Sequence, residues 1–263
     1  MKKFVTSIVL LAGAASVYSQ GQVNYTDYNP GATTGFNIHI WSPQTGSPGV
    51  ETTGNSTTPF TTTPTGLAGD APTGTSAPGY TGSLIGGAGT ATGPNGTLDY
   101  TDGDSFSVEL YYAAGNTVAT GFGSLSPLAS TLGTMADGAF GSTYAGMYFP
   151  SGSGLATIPG VAASGTATFA IAAWFNGGGT YPTLAAAQAA GSAVAPFGWS
   201  PLGAEAIGGG NVAPPLLPGL GNPNNVAGGI TSFSLVSAVP EPSTIALGVI
   251  GASAFLMRLR RKQ

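Results

Sequence analysis

TATFAIAAWF, residues 166–175, is the longest apolar run in the central part of the chain. Phe169 and Ile171 alternate along it with Ala172 and Trp174. Successive side chains of a strand point to opposite faces of the sheet, so both faces of this segment would be apolar. The run therefore predicts a central β-strand that is covered on both faces.

A second segment, SFSVELYY at residues 105–112, shows the clearest strand alternation in the chain. Phe106, Val108, Leu110 and Tyr112 would lie on one face of this strand, and the residues between them on the other. Such alternation is typical of a strand that packs one face against a core. It predicts a second long strand in the same fold.

The remaining signals of order are short and lie between stretches rich in Gly, Pro, Ser and Thr. LAAAQAA, residues 184–190, follows Thr183 and precedes Gly191, which predicts one short helix. Many short strands separated by turn signals indicate an all-β fold, a single antiparallel β-sandwich with long Gly/Thr/Pro-rich loops. The other predicted strands are residues 23–28, 35–41, 116–122, 144–149, 197–200 and 230–236.

Composition sets one part of this body apart. Residues 45–96 form a low-complexity Thr/Gly/Pro insert with few large apolar side chains, which predicts loops and partial disorder.

The chain has no cysteine, so disulfides cannot stabilise it. The body of residues 20–239 is about 220 residues long, which is enough to bury a core without them.

Charge is distributed very unevenly along the chain. All six Lys and Arg residues lie in residues 2–3 and 258–262, whereas nine of the ten acidic residues lie in the body. Nucleic-acid binding depends on neutralising phosphates with Lys and Arg. The body therefore excludes nucleic acid as a partner, and it excludes phosphate sites that need a Lys or Arg.

The first 19 residues have the pattern of a secretory signal peptide. Lys2 and Lys3 precede an apolar run at residues 4–15, which has the length expected of such a segment. Val17 and Ser19 occupy the −3 and −1 positions, so we expect signal peptidase to cut after Ser19. The alternative is an uncleaved N-terminal helix that acts as an anchor.

The last 24 residues contain a rigid motif, an apolar segment and a basic end. Pro240, Glu241 and Pro242 cannot continue a helix, because each proline fixes its own φ and restricts the residue before it. Residues 243–259 then predict a transmembrane helix at the short end of the roughly 17–25 residues that span a bilayer. A basic stop follows this segment and consists of Arg258, Arg260, Arg261 and Lys262. By the positive-inside rule, these residues predict that the C-terminus lies in the cytoplasm.

This three-part ending resembles the PEP-CTERM sorting signal of Gram-negative bacteria. The resemblance implies that a membrane-embedded exosortase recognises Pro240, Glu241 and Pro242 as substrate positions and cleaves near them. It also implies an inner-membrane-tethered precursor that is delivered to the cell envelope or the outside, beside exopolysaccharide. Short stretches of the body, at residues 20–25, 108–115, 158–161 and 230–235, resemble secreted PEP-CTERM proteins of Verrucomicrobia-like bacteria. That second resemblance assigns no activity and no site.

Asp99, Asp102 and Asp104 form the one acidic cluster of the sequence and are a candidate calcium site. Oxygen-rich loops bind Ca²⁺ outside cells. The spacing nevertheless departs from the EF-hand pattern, and Asp and Gly are ordinary turn residues. The alternative is a solvated turn before a strand, and we expect no other cofactor.

Four aromatic residues are candidates for stacking on sugar rings: Trp41, Tyr111, Trp174 and Trp199. Aromatic side chains also dominate buried area, so the alternative is that most of them belong to the core. The pattern assigns Trp174 to the core and makes Trp41 the better candidate for exposure. A carbohydrate-binding or adhesion module is accordingly the alternative function.

Enzymatic chemistry has little support in the sequence. His39 is the only histidine, lies within a predicted strand and has no nucleophile motif to accompany it, so we expect a half-exposed structural histidine. Paired carboxylates for glycoside hydrolysis cannot be identified from spacing alone. We therefore assign no catalytic residue and expect a non-enzymatic structural protein of the envelope or extracellular matrix.

Overall fold

A computed structural model describes residues 20–25, 39–44, 48–53, 82, 84–86, 98–135, 148–149, 155–209, 230 and 232–237. Within these ranges the chain forms eleven strands and one α-helix, α1 (Leu184–Ala190). The strands are β1 (Gln20–Asn24), β2 (Ile40–Trp41), β3 (Phe106–Ala114), β4 (Ser126–Pro127), β5 (Gly133–Met135), β6 (Tyr148–Phe149), β7 (Leu155–Ala162), β8 (Thr166–Phe175), β9 (Phe197–Trp199), β10 (Gly203–Ala206) and β11 (Phe233–Ser234).

β8 and β3 form the centre of the fold. They pair antiparallel over nine positions, from Phe106 opposite Phe175 to Ala114 opposite Ala167. The central sheet runs β10-β8-β3-β5-β6, and β9 and β4 add to β8 and β3 respectively. The sequence-based prediction of a central strand at residues 166–175 is confirmed, and so is the all-β class of the described part.

The main core lies on one face of this sheet. Phe106, Val108 and Leu110 of β3 and Phe169 and Ile171 of β8 are all buried there. Residues of β1, β7, β2 and β11 belong to the same buried cluster. These residues are Val23, Ile40, Ala156, Ile158, Val161 and Phe233.

Two short ladders lie outside the central sheet. β1 pairs antiparallel with β7, and Gln22 also exchanges two backbone hydrogen bonds of 2.8 and 2.9 Å with Gly208. β2 pairs with β11 in the parallel direction, which differs from the expectation of an antiparallel fold. A parallel pair needs a long crossover connection, and this condition is met because the two strands lie near opposite ends of the body.

The other face of the central sheet packs against α1 and the loops beside it. Trp174 is fully buried there, and its Nε1 donates a hydrogen bond of 2.9 Å to the carbonyl of Tyr181. α1 begins after Thr183, whose Oγ1 accepts from the Ala186 N–H, and it ends at Gly191 with φ of 85°. The helix bounds predicted from the sequence are confirmed.

One predicted strand is wrong. The sequence predicts a strand at residues 116–122, but they contain the short 3-10 turn Val118–Thr120 and begin another, Phe122–Ser124. Gly121 lies between the two turns with φ of 80°, and the Thr117 N–H donates to Thr168 Oγ1 at 2.7 Å. These contacts turn the chain away from an extended course, and β4 pairs with β3 instead.

Several expectations fall outside the described residues. They are the signal peptide at residues 1–19, most of the insert at residues 45–96, the sorting motif at residues 240–242, the transmembrane helix at residues 243–259 and the basic stop beyond it. Within the described ranges, no helix is long and apolar enough to cross a membrane.

Candidate functional site

Four aromatic rings form a row beside β3 and β9. Phe122 lies 4.8 Å from Tyr111 and 4.5 Å from Trp199, measured between ring centroids, and Phe197 lies 6.1 Å from Trp199. We call these four residues the aromatic row. Tyr111 is 8 % exposed, whereas the other three side chains are half-buried.

The rings of the row cover one another in part. Phe122 and Trp199 are nearly parallel, with 11° between their planes, so Phe122 covers one face of the indole. Tyr111 is tilted by 41° against Phe122. A ligand at this row would therefore meet the outer edges of the rings and the uncovered parts of their faces.

Glu51 lies beside β9, the strand that carries Phe197 and Trp199. Its Oε1 accepts a hydrogen bond of 2.7 Å from the backbone N–H of Trp199. Gly198 makes this approach possible, because a β-carbon there would lie 3.3 Å from Glu51 Oε1 and closer still to the carbonyl oxygen of Ser234. Burial raises the pKa of Glu51 to about 7, against the smaller opposing effect of the Trp199 hydrogen bond.

Glu109 lies two residues before Tyr111 on the same face of β3. It is 6 % exposed, and its carboxyl group accepts a hydrogen bond from the Tyr111 hydroxyl. Burial raises the pKa of Glu109, and the Tyr111 bond opposes that shift. The pKa of Tyr111 is raised as well, first by burial and then by the neighbouring Glu109 charge.

These carboxyl groups have no basic side chain to balance them. Residues 20–239 contain no Lys or Arg, and the single histidine is His39.

His39 is 1 % exposed, so the expectation of a half-exposed histidine is wrong. Its backbone N–H donates 2.9 Å to Ser232 Oγ, because β2 and β11 run side by side and enclose it.

The four aromatic residues that the sequence suggested for sugar stacking lie in different parts of the structure. Trp174 is a core residue, as predicted, and Trp41 lies half-buried in β2. Tyr111 and Trp199 are brought together through Phe122, which sequence reasoning did not select. Phe122 lies between two glycines in a turn, so no periodic pattern pointed to it.

The candidate calcium residues are turned toward nearby hydroxyl groups. Asp99 Oδ1 accepts from the N–H and Oγ1 of Thr101 at 2.9 and 2.6 Å, bonds that lower the pKa of Asp99. Asp102 Oδ2 accepts from Ser105 Oγ at 2.6 Å.

Asp104 completes this set, and its Oδ1 accepts from Thr134 Oγ1 at 3.4 Å. Across the ranges that the structure describes, no three His, Cys, Asp or Glu side chains are grouped to hold a metal ion.

Comparisons with known protein families, with curated proteins and with solved structures find no match to this chain.

Proposed function

We propose that the chain is an exported protein of the cell envelope or extracellular matrix, with a non-enzymatic structural role beside exopolysaccharide. The observation that carries this proposal is the partition of charge. Every Lys and Arg lies in two short segments that read as export and sorting signals, and the body between them has none. Such a partition fits a chain whose basic residues serve membrane targeting alone.

In this proposal two membrane enzymes process the ends of the chain. Signal peptidase cuts after Ser19, and the helix at residues 243–259 holds the precursor in the inner membrane with its basic end in the cytoplasm. An exosortase then recognises Pro240, Glu241 and Pro242. The body reaches the envelope or the outside of the cell.

The chain has no cysteine, so the body depends on its buried core for stability. We propose that it is a β-sandwich, in which the β1–β7 and β2–β11 ladders form a second layer over the central sheet. The support for this arrangement is that buried residues of both ladders belong to one hydrophobic cluster with those of β3 and β8, that β7 contacts β3, and that β11 contacts β9. A core of this kind suits a structural role outside the cytoplasm.

A triple replacement of Pro240, Glu241 and Pro242 by alanine tests the sorting step. We expect the variant to accumulate in the membrane fraction, because the exosortase no longer recognises it, while the unchanged protein is released. The matched control replaces Ser243 and Thr244 by alanine, which alters neighbouring residues and spares the motif. Equal release of all three proteins, measured by quantitative immunoblotting of membrane and medium, would contradict the proposal.

The aromatic row favours a second candidate function, the binding of a neutral glycan. The half-buried rings of Phe122, Phe197 and Trp199 provide a partly exposed aromatic surface on which a sugar ring could stack. An acidic polysaccharide is disfavoured, because the body carries nine acidic residues and no Lys or Arg.

Affinity electrophoresis through a gel that contains a neutral polysaccharide tests this second function. Trp199→Leu removes the central ring of the row but keeps an apolar side chain, so we expect it to abolish retardation of the band. Trp41→Leu changes a tryptophan outside the row and should migrate like the unchanged protein. Loss of retardation in both variants, or in neither, would rule out the row as the binding surface.

A further inference from the structure

Gln20 lies both next to a predicted cleavage site and at the start of a strand. It follows the predicted signal peptidase site at Ser19, and it is the first residue of β1. Gln20 pairs with Ala162 of β7, and two residues later Gln22 bonds to Gly208 on the other side. A cut after Ser19 would therefore leave all of β1 in the mature chain and place a new amino group at the start of a paired strand.

The side chain of Gln20 lies on the more exposed face of β1. Burial alternates along the strand, with Gly21 and Val23 buried and with Gln20, Gln22 and Asn24 half-buried. Val23 joins the main core, so the opposite face, which carries Gln20, lies away from it. Gln20 is half-buried and belongs to neither hydrophobic cluster, so cyclisation of its side chain removes no core contact.

We propose that Gln20 is a modification site, at which the mature N-terminus cyclises to pyroglutamate. The α-amino nitrogen attacks the side-chain Cδ and forms a new C–N bond that closes a five-membered lactam. The bond from Cδ to Nε2 breaks, and that nitrogen leaves as ammonia after it takes up the proton that the attacking amine releases. The reaction needs no oxidant, reductant or second substrate. It rests on the proposed function, because only cleavage after Ser19 creates this amine.

The charge of the body gives the modification a physical consequence. The new α-amino group would have an ordinary pKa of about 7.7–8.0, and it would add a positive charge to a body that has no Lys or Arg. Gln20 is half-buried, and a charged group costs free energy when it loses contact with water. The lactam is neutral and keeps one N–H donor, so it suits the end of a paired strand and also resists aminopeptidases.

Peptide mass spectrometry of the native mature protein tests the proposal. We expect an N-terminal peptide that begins at residue 20 and weighs one ammonia less than the glutamine form, a difference of about 17 Da. Digestion under mildly acidic conditions, with an isotope-labelled glutamine peptide added beforehand, measures any cyclisation that occurs during preparation. The native peptide should also resist stepwise amino-terminal degradation until a pyroglutamyl aminopeptidase removes its first residue.

Gln20→Asn provides the matched control. Asparagine has the same amide on a side chain one methylene shorter, and its cyclisation would require a strained four-membered ring. We expect this variant to be cut at the same place and to keep a free amino group. A native peptide that begins at Gln20 with an unmodified amine would overturn the modification and leave the export proposal standing. A native N-terminus at any other residue would overturn the modification together with the proposed cleavage site.

Discussion

Gly21 is the position in β1 where the fold tolerates no side chain. A β-carbon there would overlap the side chain of Ile207, which is 1 % exposed, and would lie 3.1 Å from the carbonyl oxygen of Ala162. We expect Gly21→Ala to lower the free energy of unfolding by about 1–3 kcal/mol, because the overlap forces Ile207 or β1 to move within a packed core. Urea denaturation followed by tryptophan fluorescence measures this change.

Gly123→Ala is the matched control for Gly21. A β-carbon at Gly123 meets no atom within 4 Å, and the position lies in an exposed turn. We expect a change of less than about 0.5 kcal/mol in the free energy of unfolding. Comparable losses in the two variants would show that the effect at Gly21 comes from glycine's backbone freedom and not from the contact with Ile207.

The ionisation of Glu51 makes the free energy of unfolding depend on pH. Its pKa is about 7 in the folded chain and 4.5 as an isolated group, so the folded chain binds this proton more tightly than the unfolded chain. The resulting stabilisation is complete below about pH 4.5 and is lost as the pH rises through 7. Glu109 and Glu205, whose pKa values burial also raises, act in the same direction.

We therefore expect Glu51→Gln to lose less stability than the unchanged protein between pH 5 and 8. Glutamine cannot ionise, but it retains an oxygen that can accept from the Trp199 N–H. Urea midpoints measured across this pH range test the difference. Asp99→Asn is the control, because the lowered pKa of Asp99 keeps that group ionised throughout the range. Parallel pH profiles for Glu51→Gln and the unchanged protein would refute the role of Glu51.

At the scale of elements, the turn between β8 and α1 depends on Asn176. Its Nδ2 donates to the carbonyl of Asp104 at 2.9 Å and to Ser107 Oγ at 3.1 Å, and its Oδ1 accepts from the Gly178 N–H at 2.8 Å. The side chain thereby connects the turn to the start of β3.

We expect Asn176→Ala to cost about 1–3 kcal/mol, because it leaves buried polar groups without these bonds. Urea denaturation measures the loss, and the control is Asn116→Ala, an exposed asparagine whose one hydrogen bond is local and 3.4 Å long. A loss at Asn176 no larger than at Asn116 would contradict the importance of the turn.

The elements that the sequence predicted well are those with strong local signals. β3 and β8 carry long apolar alternation, and α1 has both a Thr183 cap and a terminal glycine. β7 was missed because Pro159 and Gly160 resemble a turn. In the structure both are exposed, Gly160 has φ of 73°, and the pairing register shifts between Gln20 and Gly21 opposite this segment.

β4 and β5 are two and three residues long, which is too short for a periodic pattern to identify. The aromatic row could be predicted only in part for a related reason. Tyr111 and Trp199 stand out in the sequence as large aromatic residues within strands. Phe122 joins them only because the turns around Gly121 fold it onto β9, a contact that depends on tertiary structure.

For the whole molecule, the described fold explains how a body without cysteine or basic residues can be stable. Two apolar clusters cover the two faces of one central sheet. Burial raises the pKa values of Glu51 and Glu109, and hydrogen bonds with Trp199 and Tyr111 oppose that shift. The same absence of Lys and Arg from residues 20–239 leaves the basic residues to the two ends. Export and C-terminal sorting together are the central claim that follows from this partition.

The intact mass of the native protein, purified separately from membranes and from the medium, tests that claim most directly. We predict a released species that begins at residue 20 and lacks the residues after the Pro-Glu-Pro motif at 240–242. A protein found only in the membrane, and whose mass requires every residue through Gln263, would contradict the account, because the C-terminal segment would then be a permanent anchor.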